Sequence, residues 1–163
     1  MKRRRIFVAG ASGAALLVLA AATIAWATAS LGLTSTTLAQ GTLQPIDLHV
    51  KTGAWKLHLK TKGVSNLGVS ELRIAPGGHT GWHSHPGPSL VIVKSGTSSF
   101  YHGDDPTCTP EVHPAGTAYV DPGGDVHIAR NEGATELVLL TTRLVPDGVP
   151  ARNDEPSPGN CNF

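Results

Sequence analysis

Apolar and polar residues alternate in short segments throughout the chain after residue 53. In residues 55–60, WKLHLK, every second side chain is apolar, and this period of two predicts a half-buried β-strand. Residues 89–94 contain four consecutive apolar side chains, which is typical of a strand buried on both faces. The other predicted strands are 67–75, 97–102, 117–120, 126–130 and 137–144.

No segment after residue 40 repeats its apolar residues with a helical period over a useful length. Turn-forming Gly and Pro residues separate the predicted strands. Short strands joined by turns predict an all-β domain, built as a sandwich or a closed barrel. The length of 163 residues allows one such domain.

The first forty residues follow a different pattern. Lys2–Arg5 is basic, and residues 6–29 carry no charge, an order that is typical of an export signal. Residues 1–39 are therefore predicted to be a signal peptide, cleaved before Ser30 or Gln40. A second interpretation is an uncleaved helical signal anchor, because the apolar stretch is long enough to span a bilayer. Both interpretations place the domain outside the cytoplasm, either exported or anchored to the membrane.

The rest of the chain divides into three predicted parts. Residues 40–53 are predicted to be a linker and residues 54–145 the β-domain. Residues 146–163 are rich in Pro, Gly, Asn and Asp and are predicted to form an irregular C-terminal tail.

The charge of the chain argues against nucleic acid as a partner. The formal net charge is +1, but four basic residues lie in the export segment, and the remainder carries about −3. No cluster of Lys or Arg follows residue 5. A protein that binds phosphate backbones needs a clustered positive surface, so no nucleic-acid partner is expected.

The chain contains two cysteines, Cys108 and Cys161. An even pair in an oxidising compartment predicts a disulfide, which would tie the tail to the domain. Two alternatives stay open at this point: a thiol close to a metal ion, and two unpaired thiols.

His83 and His85 are the strongest candidates for chemistry. Side chains two residues apart on a strand point to the same face, so both imidazoles can reach one metal ion at about 2.1 Å. His79 is a weaker candidate, since an isolated extra histidine is usually an exposed loop residue. His102 and His113, which flank the Cys108 loop, are weaker candidates as well.

The spacing around these histidines matches the first motif of the cupin family, G(X)5HXH(X)3-4E(X)6G. Gly77, His83, His85 and Gly96 stand at the required positions. Ser89 occupies the position at which the family usually has Glu. The second motif, G(X)5PXG(X)2H(X)3N, is matched at every fixed position by Gly116, Pro122, Gly124, His127 and Asn131.

The chain therefore resembles a small single-domain cupin of the type-2 kind over residues 64–144. This resemblance implies a double-stranded β-helix, or jelly-roll barrel, with His127 pointing toward the HXH pair. It implies that His83, His85 and His127 bind one divalent ion, such as iron, manganese or zinc, and that Asn131 supports a turn or strand end. Cupin barrels commonly pair through edge strands, so the resemblance makes a homodimer plausible.

The serine at position 89 changes the expected site. Three neutral histidines leave the charge of a divalent ion uncompensated by protein and leave positions open, which favours an anionic small molecule at the ion. Two functions fit: an exported metal-dependent oxidoreductase of the dioxygenase kind, and a non-catalytic module that captures a small ligand or a metal. A third interpretation keeps the histidines as packed polar groups without metal. The sequence identifies no catalytic residue and no substrate.

Overall fold

The computed structural model describes residues 27–163. In this part the chain forms twelve β-strands and no helix, so it contains no helix that could cross a membrane. Residues 1–26 of the predicted export segment lie outside the described residues. The strands are β1 (Leu31–Leu43), β2 (Asp47–Thr52), β3 (Trp55–Lys60), β4 (Ser65–His79), β5 (His83–Ser84), β6 (Ser89–Ser95), β7 (Thr97–His102), β8 (Glu111–Pro114), β9 (Ala118–Asp121), β10 (His127–Arg130), β11 (Leu137–Pro146) and β12 (Asn153–Asp154).

Ten of the strands described in residues 27–163 form one antiparallel sheet that curls into a nearly closed barrel. β11 lies between β4 and β6, and β9 pairs with the other edge of β6. On the other side, β10 pairs with β7, and β7 pairs with β8. Single cross-strand pairs join β10 to β4 and to β5. The all-β barrel predicted from the sequence is therefore confirmed.

The core of the barrel consists of the inward-facing apolar side chains of β4, β6 and β11. Leu72, Ile74, Val91, Val93, Leu137 and Leu139 form this cluster. The prediction that residues 89–94 are buried on both faces is wrong, because Leu90 and Ile92 are 56% and 51% exposed. No second layer of residues 27–163 covers the outer face of β6 at these side chains, so only alternate residues are buried.

The N-terminal part of the described chain is more regular than the sequence suggested. β1 pairs with β4 from Leu31 opposite His79 to Leu43 opposite Ser65, so residues 31–39 of the predicted export segment belong to the sheet. The predicted linker, residues 40–53, also differs from the structure, since it contains the end of β1 and all of β2. The β-branched threonines of β1 favour strand structure, and β4 offers an open edge for pairing.

The C-terminal tail is attached to the barrel at several points. β12 pairs with β5, and Cys161 forms the predicted disulfide with Cys108 at a Cα–Cα distance of 5.3 Å. The last residue, Phe163, lies under the guanidinium of Arg130, whose Cζ is 3.7 Å from the ring centroid. Within the tail, β12 is the regular element after β11, and these contacts attach the tail to the barrel.

Candidate metal centre

Three buried histidines meet inside the barrel near β5 and β10. His83 and His127 are direct cross-strand partners, and His85 follows β5 by one residue. The backbone N–H of Gly124 donates a hydrogen bond of 2.8 Å to the carbonyl of His85, so the turn that precedes His127 is fixed to the HXH segment. The candidate ligand atoms of the three imidazoles all lie within 4.8 Å of one another. The structure thus brings together the three histidines that the sequence singled out.

Backbone carbonyls fix the orientation of all three rings. A carbonyl oxygen only accepts hydrogen bonds, so each Nδ1 must carry the proton and each Nε2 keeps a free lone pair. Such a contact to the second ring nitrogen is the usual support of a metal-binding histidine. The carbonyls that accept from Nδ1 of His83, His85 and His127 are those of Gly81 at 2.8 Å, Ala151 at 2.6 Å and Asp125 at 3.2 Å, respectively.

Burial keeps the three imidazoles neutral. It lowers the pKa of His85 to about 3 and holds the pKa of His83 further below its ordinary value. The pKa of His127 is also lowered by burial, although the nearby carboxylates of Asp121 and Asp125 partly oppose this shift. Neutral imidazoles are the form that binds metal ions.

A carboxylate that sequence reasoning missed lies beside these rings. Asp121 is 2% exposed, and its Oδ2 lies 3.4 Å from Nε2 of His127 and 3.7 Å from Nε2 of His85. Its Oδ1 accepts a hydrogen bond from the backbone N–H of Gly123. Asp121 is the cross-strand partner of Ser89. The expectation that protein supplies no negative charge here is therefore wrong, because the adjacent strand provides the carboxylate that position 89 lacks.

A cavity of about 40 Å³ extends from the histidines into the barrel. Arg143 and Arg152 both line it, and neither was identified from the sequence. In β11, residues 137, 139, 141 and 145 are buried, and Arg143 falls on the same alternation. This alternation could have indicated from the sequence that the side chain of Arg143 points into the barrel. Burial lowers the pKa of Arg143, and the charge of Arg152 lowers it further.

The weaker histidine candidates lie outside this group. His79 accepts a hydrogen bond from the backbone N–H of Gly81 through Nδ1. His102 contacts the carboxylates of Asp125 and Glu111, each at 3.2 Å, and His113 lies 3.4 Å from Glu111. None of these three histidines belongs to the group formed by His83, His85 and His127.

Asn131 has the structural role that the sequence suggested. Its side-chain amide donates hydrogen bonds of 2.8 Å to the carbonyls of Ile74 and Thr135. The residue is 1% exposed. It therefore connects the end of β10 to β4 and to the loop before β11.

Comparison with known proteins identifies the domain. A family model described as the cupin domain matches residues 70–143. Germin-like protein subfamily T member 3 of Arabidopsis thaliana is 33% identical over 93 residues, which cover 55% of this chain and 40% of that protein. The match thus spans less than half of the length of this curated relative.

Solved structures give more distant similarities. A cupin domain from Bordetella pertussis is 21% identical with a TM-score of 0.47, over 69% of this chain and 93% of that one. An oxalate oxidase in complex with the substrate analogue glycolate is 27% identical with a TM-score of 0.42, over 47% and 41% of the two chains. The match to the family model covers both histidine motifs from His83 to Asn131, so residues 70–143 form a cupin domain.

Proposed function

We propose that the three histidines bind one divalent metal ion, with the carboxylate of Asp121 as a fourth ligand or close charge partner. The observation that carries this proposal is the fixed orientation of the imidazoles. Each Nδ1 is committed to a backbone carbonyl, so the free Nε2 atoms of the group cannot satisfy one another. Three buried Nε2 acceptors with no hydrogen-bond donor among them are satisfied by one shared cation.

The distances to Asp121 fit an ion better than a direct hydrogen bond. Charge-assisted N–H to carboxylate bonds are about 2.7–2.9 Å long, whereas Oδ2 lies 3.4 Å from His127 and 3.7 Å from His85. Two ligand atoms that are each about 2.1 Å from one tetrahedral ion are roughly 3.4 Å apart. This spacing favours metal over the interpretation of packed polar groups.

The donor set limits the choice of metal without fixing it. Imidazole nitrogen with one carboxylate oxygen suits iron, manganese and zinc. When bound, such an ion would supply Lewis-acid polarisation, or redox chemistry in the case of iron or manganese, to a small molecule beside it. The backbone carbonyls of Gly81, Ala151 and Asp125 orient the three imidazoles.

Metal analysis of the purified protein tests this proposal. We expect about one ion per chain in the unmodified protein and strong loss in His83→Ala. His113→Ala is the matched control, because His113 belongs to none of the potential ligand groups of residues 27–163 and should leave the metal content unchanged. Less than about 0.1 ion per chain in unmodified protein, even after reconstitution with each of the three metals, would reject the metal centre.

The reaction class that we propose is a metal-dependent oxidoreductase of the dioxygenase kind. Oxygen consumption by the iron-loaded protein, measured with a panel of small carboxylates, diketones, thiols and phenols, tests it. Consumption that requires His127 supports the enzyme. Ligand retention without any turnover supports the alternative, a module that captures a small molecule.

We further propose that the protein is exported and cleaved before Ser30. Cleavage there removes the Ala27–Pro156 bridge but leaves β1 whole, whereas cleavage before Gln40 would remove residues 31–39 from the sheet. The disulfide is compatible with an oxidising compartment. Sequencing of the mature N-terminus should give Ser30, and an intact Met1 in the membrane fraction would instead indicate an anchor.

A further inference from the structure

Two charged side chains and a serine form one polar row across the inside of the barrel. Arg143 of β11 is the cross-strand partner of Ser89 in β6, and Ser89 is the partner of Asp121 in β9. Cross-strand partners have Cβ atoms about 4.5–5.5 Å apart. In the next row, Thr141 faces Val91. Thr141, Ser89 and Arg143 therefore lie close together, next to the carboxylate of the proposed metal centre.

Three polar atoms in these rows have no hydrogen-bond partner among residues 27–163. They are Oγ of Ser89, Oγ1 of Thr141 and Nε of Arg143, and all three are buried. Each can donate a hydrogen bond, and each of the three residues lines the 40 Å³ cavity. Buried donors normally have partners, because an unmade hydrogen bond costs the full desolvation of the group. Three such donors around one cavity indicate a polar ligand that accepts hydrogen bonds.

The charged groups around the cavity indicate the sign of the ligand's charge. Arg143 takes part in none of the ion pairs found in the described part of the chain, and its guanidinium stays charged in proteins. Arg152, from the tail, binds Asp154 and the carbonyl of Thr80 and lines the same cavity. Among the residues that line the cavity, Asp121 carries the one carboxylate, while Asp154, which pairs with Arg152, does not line it. The excess of positive charge favours an anion.

The shape of the groups and the size of the cavity narrow the choice of anion. A guanidinium has a planar fork of donors that matches a carboxylate. One water needs roughly 10–15 Å³ of such space, so the volume of about 40 Å³ holds about three water-sized groups. We propose that this cavity is a subsite for a small carboxylate of about three to five non-hydrogen atoms, held by Arg143, Ser89 and Thr141. The proposal rests on the proposed metal centre, since it names the class of small molecule that binds beside the ion.

The same geometry gives a reason for the serine at position 89. A glutamate there would extend into the cavity and add a second negative charge beside Asp121. Serine leaves the space open and contributes a hydroxyl donor. The departure from the family motif therefore makes room for the anion, while Asp121 keeps a carboxylate at the centre.

Calorimetric titration of zinc-loaded protein with acetate, at constant ionic strength, tests the subsite. We expect saturable binding that weakens at least about tenfold in Arg143→Gln, because a charge-assisted pair is lost. Arg143→Lys should recover part of the acetate affinity, since lysine keeps the positive charge but lacks the planar fork of donors. Ser89→Glu should abolish acetate binding while retaining zinc. Arg73→Gln is the control, because Arg73 pairs with Glu71 and Glu136 on the exposed surface.

Several outcomes would overturn the subsite. Acetate affinity unchanged in Arg143→Gln would do so, and so would no acetate binding by protein with a full complement of zinc. Sulfate or phosphate that binds as tightly as acetate would refute the carboxylate class. The zinc content distinguishes failure of the subsite from failure of the metal centre. Protein that holds no zinc would reject the metal centre. If acetate still bound to this zinc-free protein and the binding depended on Arg143, the subsite would stand.

Discussion

Asp121 lies directly opposite Ser89 in the pairing of β6 with β9, and its carboxylate Oδ2 is 3.4 Å from Nε2 of His127. The first cupin motif places a glutamate at position 89. In this chain, the negative charge beside the histidines comes from the neighbouring strand instead. The exchange keeps a carboxylate beside the histidines while moving it from β6 to β9.

Replacing this carboxylate should weaken metal binding. Asp121→Asn keeps the shape of the side chain but removes its charge, so we expect the affinity for zinc to fall by about 10–100-fold, the range for groups that support a metal site. The double variant Asp121→Asn with Ser89→Glu should recover much of the loss. Competition with a chromophoric chelator measures both. Asp104→Asn, at an exposed loop position, is the control, and equal affinity in Asp121→Asn would show that the carboxylate is not part of the centre.

The sequence predicted those parts of the site that depend on local spacing. His83 and His85 share a direction because they are two residues apart, and the second motif supplied His127 through the family resemblance. The alternation of apolar residues likewise located most strands of the barrel. These features depend on the periodicity of a strand, which a sequence displays directly.

The residues that the sequence did not reveal depend on long-range register. Asp121 reaches the centre only because β9 pairs with β6 in one particular alignment, and Asp121 by itself is an ordinary turn residue before Pro122. Ala151 and Arg152 lie in a tail without periodicity, and their positions follow from the pairing of β12 with β5. No local pattern encodes such pairings.

The disulfide should stabilise both the fold and the metal centre. The two cysteines are 53 residues apart, and opening a loop of this length costs about 4 kcal/mol in the chain-entropy account. The double variant Cys108→Ser with Cys161→Ser should lower the free energy of unfolding by this order. It should also weaken zinc binding, because the freed tail carries the Ala151 carbonyl that orients His85.

Two measurements separate these effects of the disulfide. Chemical denaturation of metal-free protein gives the stability, and chelator competition gives the zinc affinity under conditions where the variant is folded. A folded variant with unchanged zinc affinity would mean that the tail does not orient His85. Replacing the exposed Phe163 by Ala is a useful comparison, because it removes the contact with Arg130 while keeping the disulfide.

The turn before His127 should tolerate no side chain at Gly123. Gly123 has φ of +80°, and a Cβ there would lie 2.5 Å from the carbonyl oxygen of Gly87. Gly116 has a similar φ of +85° but nothing within 4 Å of its Cβ position. Both Ala variants carry the cost of the left-handed conformation, so the difference between them isolates the steric clash.

We expect Gly123→Ala to be less stable than Gly116→Ala by about 1–3 kcal/mol. Because this turn delivers His127, zinc affinity should fall in Gly123→Ala and stay constant in Gly116→Ala. Thermal denaturation and chelator competition measure the two effects. Equal stabilities of the two variants would mean that the turn moves freely away from Gly87.

The stability of the metal-free protein should fall as the pH falls below about 6.5, the ordinary pKa of histidine. Burial lowers the pKa values of His83, His85 and His127 in the folded state, to about 3 for His85. At a pH between the ordinary histidine pKa and the lowered pKa of the folded state, the unfolded chain binds protons that the folded chain does not bind. The free energy of unfolding therefore decreases with falling pH, by up to about 1.4 kcal/mol per pH unit for each histidine held neutral.

Removing one of these histidines should flatten the dependence. Denaturation of metal-free protein between about pH 7 and pH 5 covers the upper part of the window, before most carboxylates titrate. In this range His85→Gln should lose one histidine's share of the slope, because glutamine binds no proton in either state. Thr36→Gln, at an exposed position of β1 that carries no titratable group, should keep the slope. If His85→Gln kept the slope of the unmodified protein, His85 would bind protons equally in the folded and unfolded states, and burial would not be what keeps its imidazole neutral.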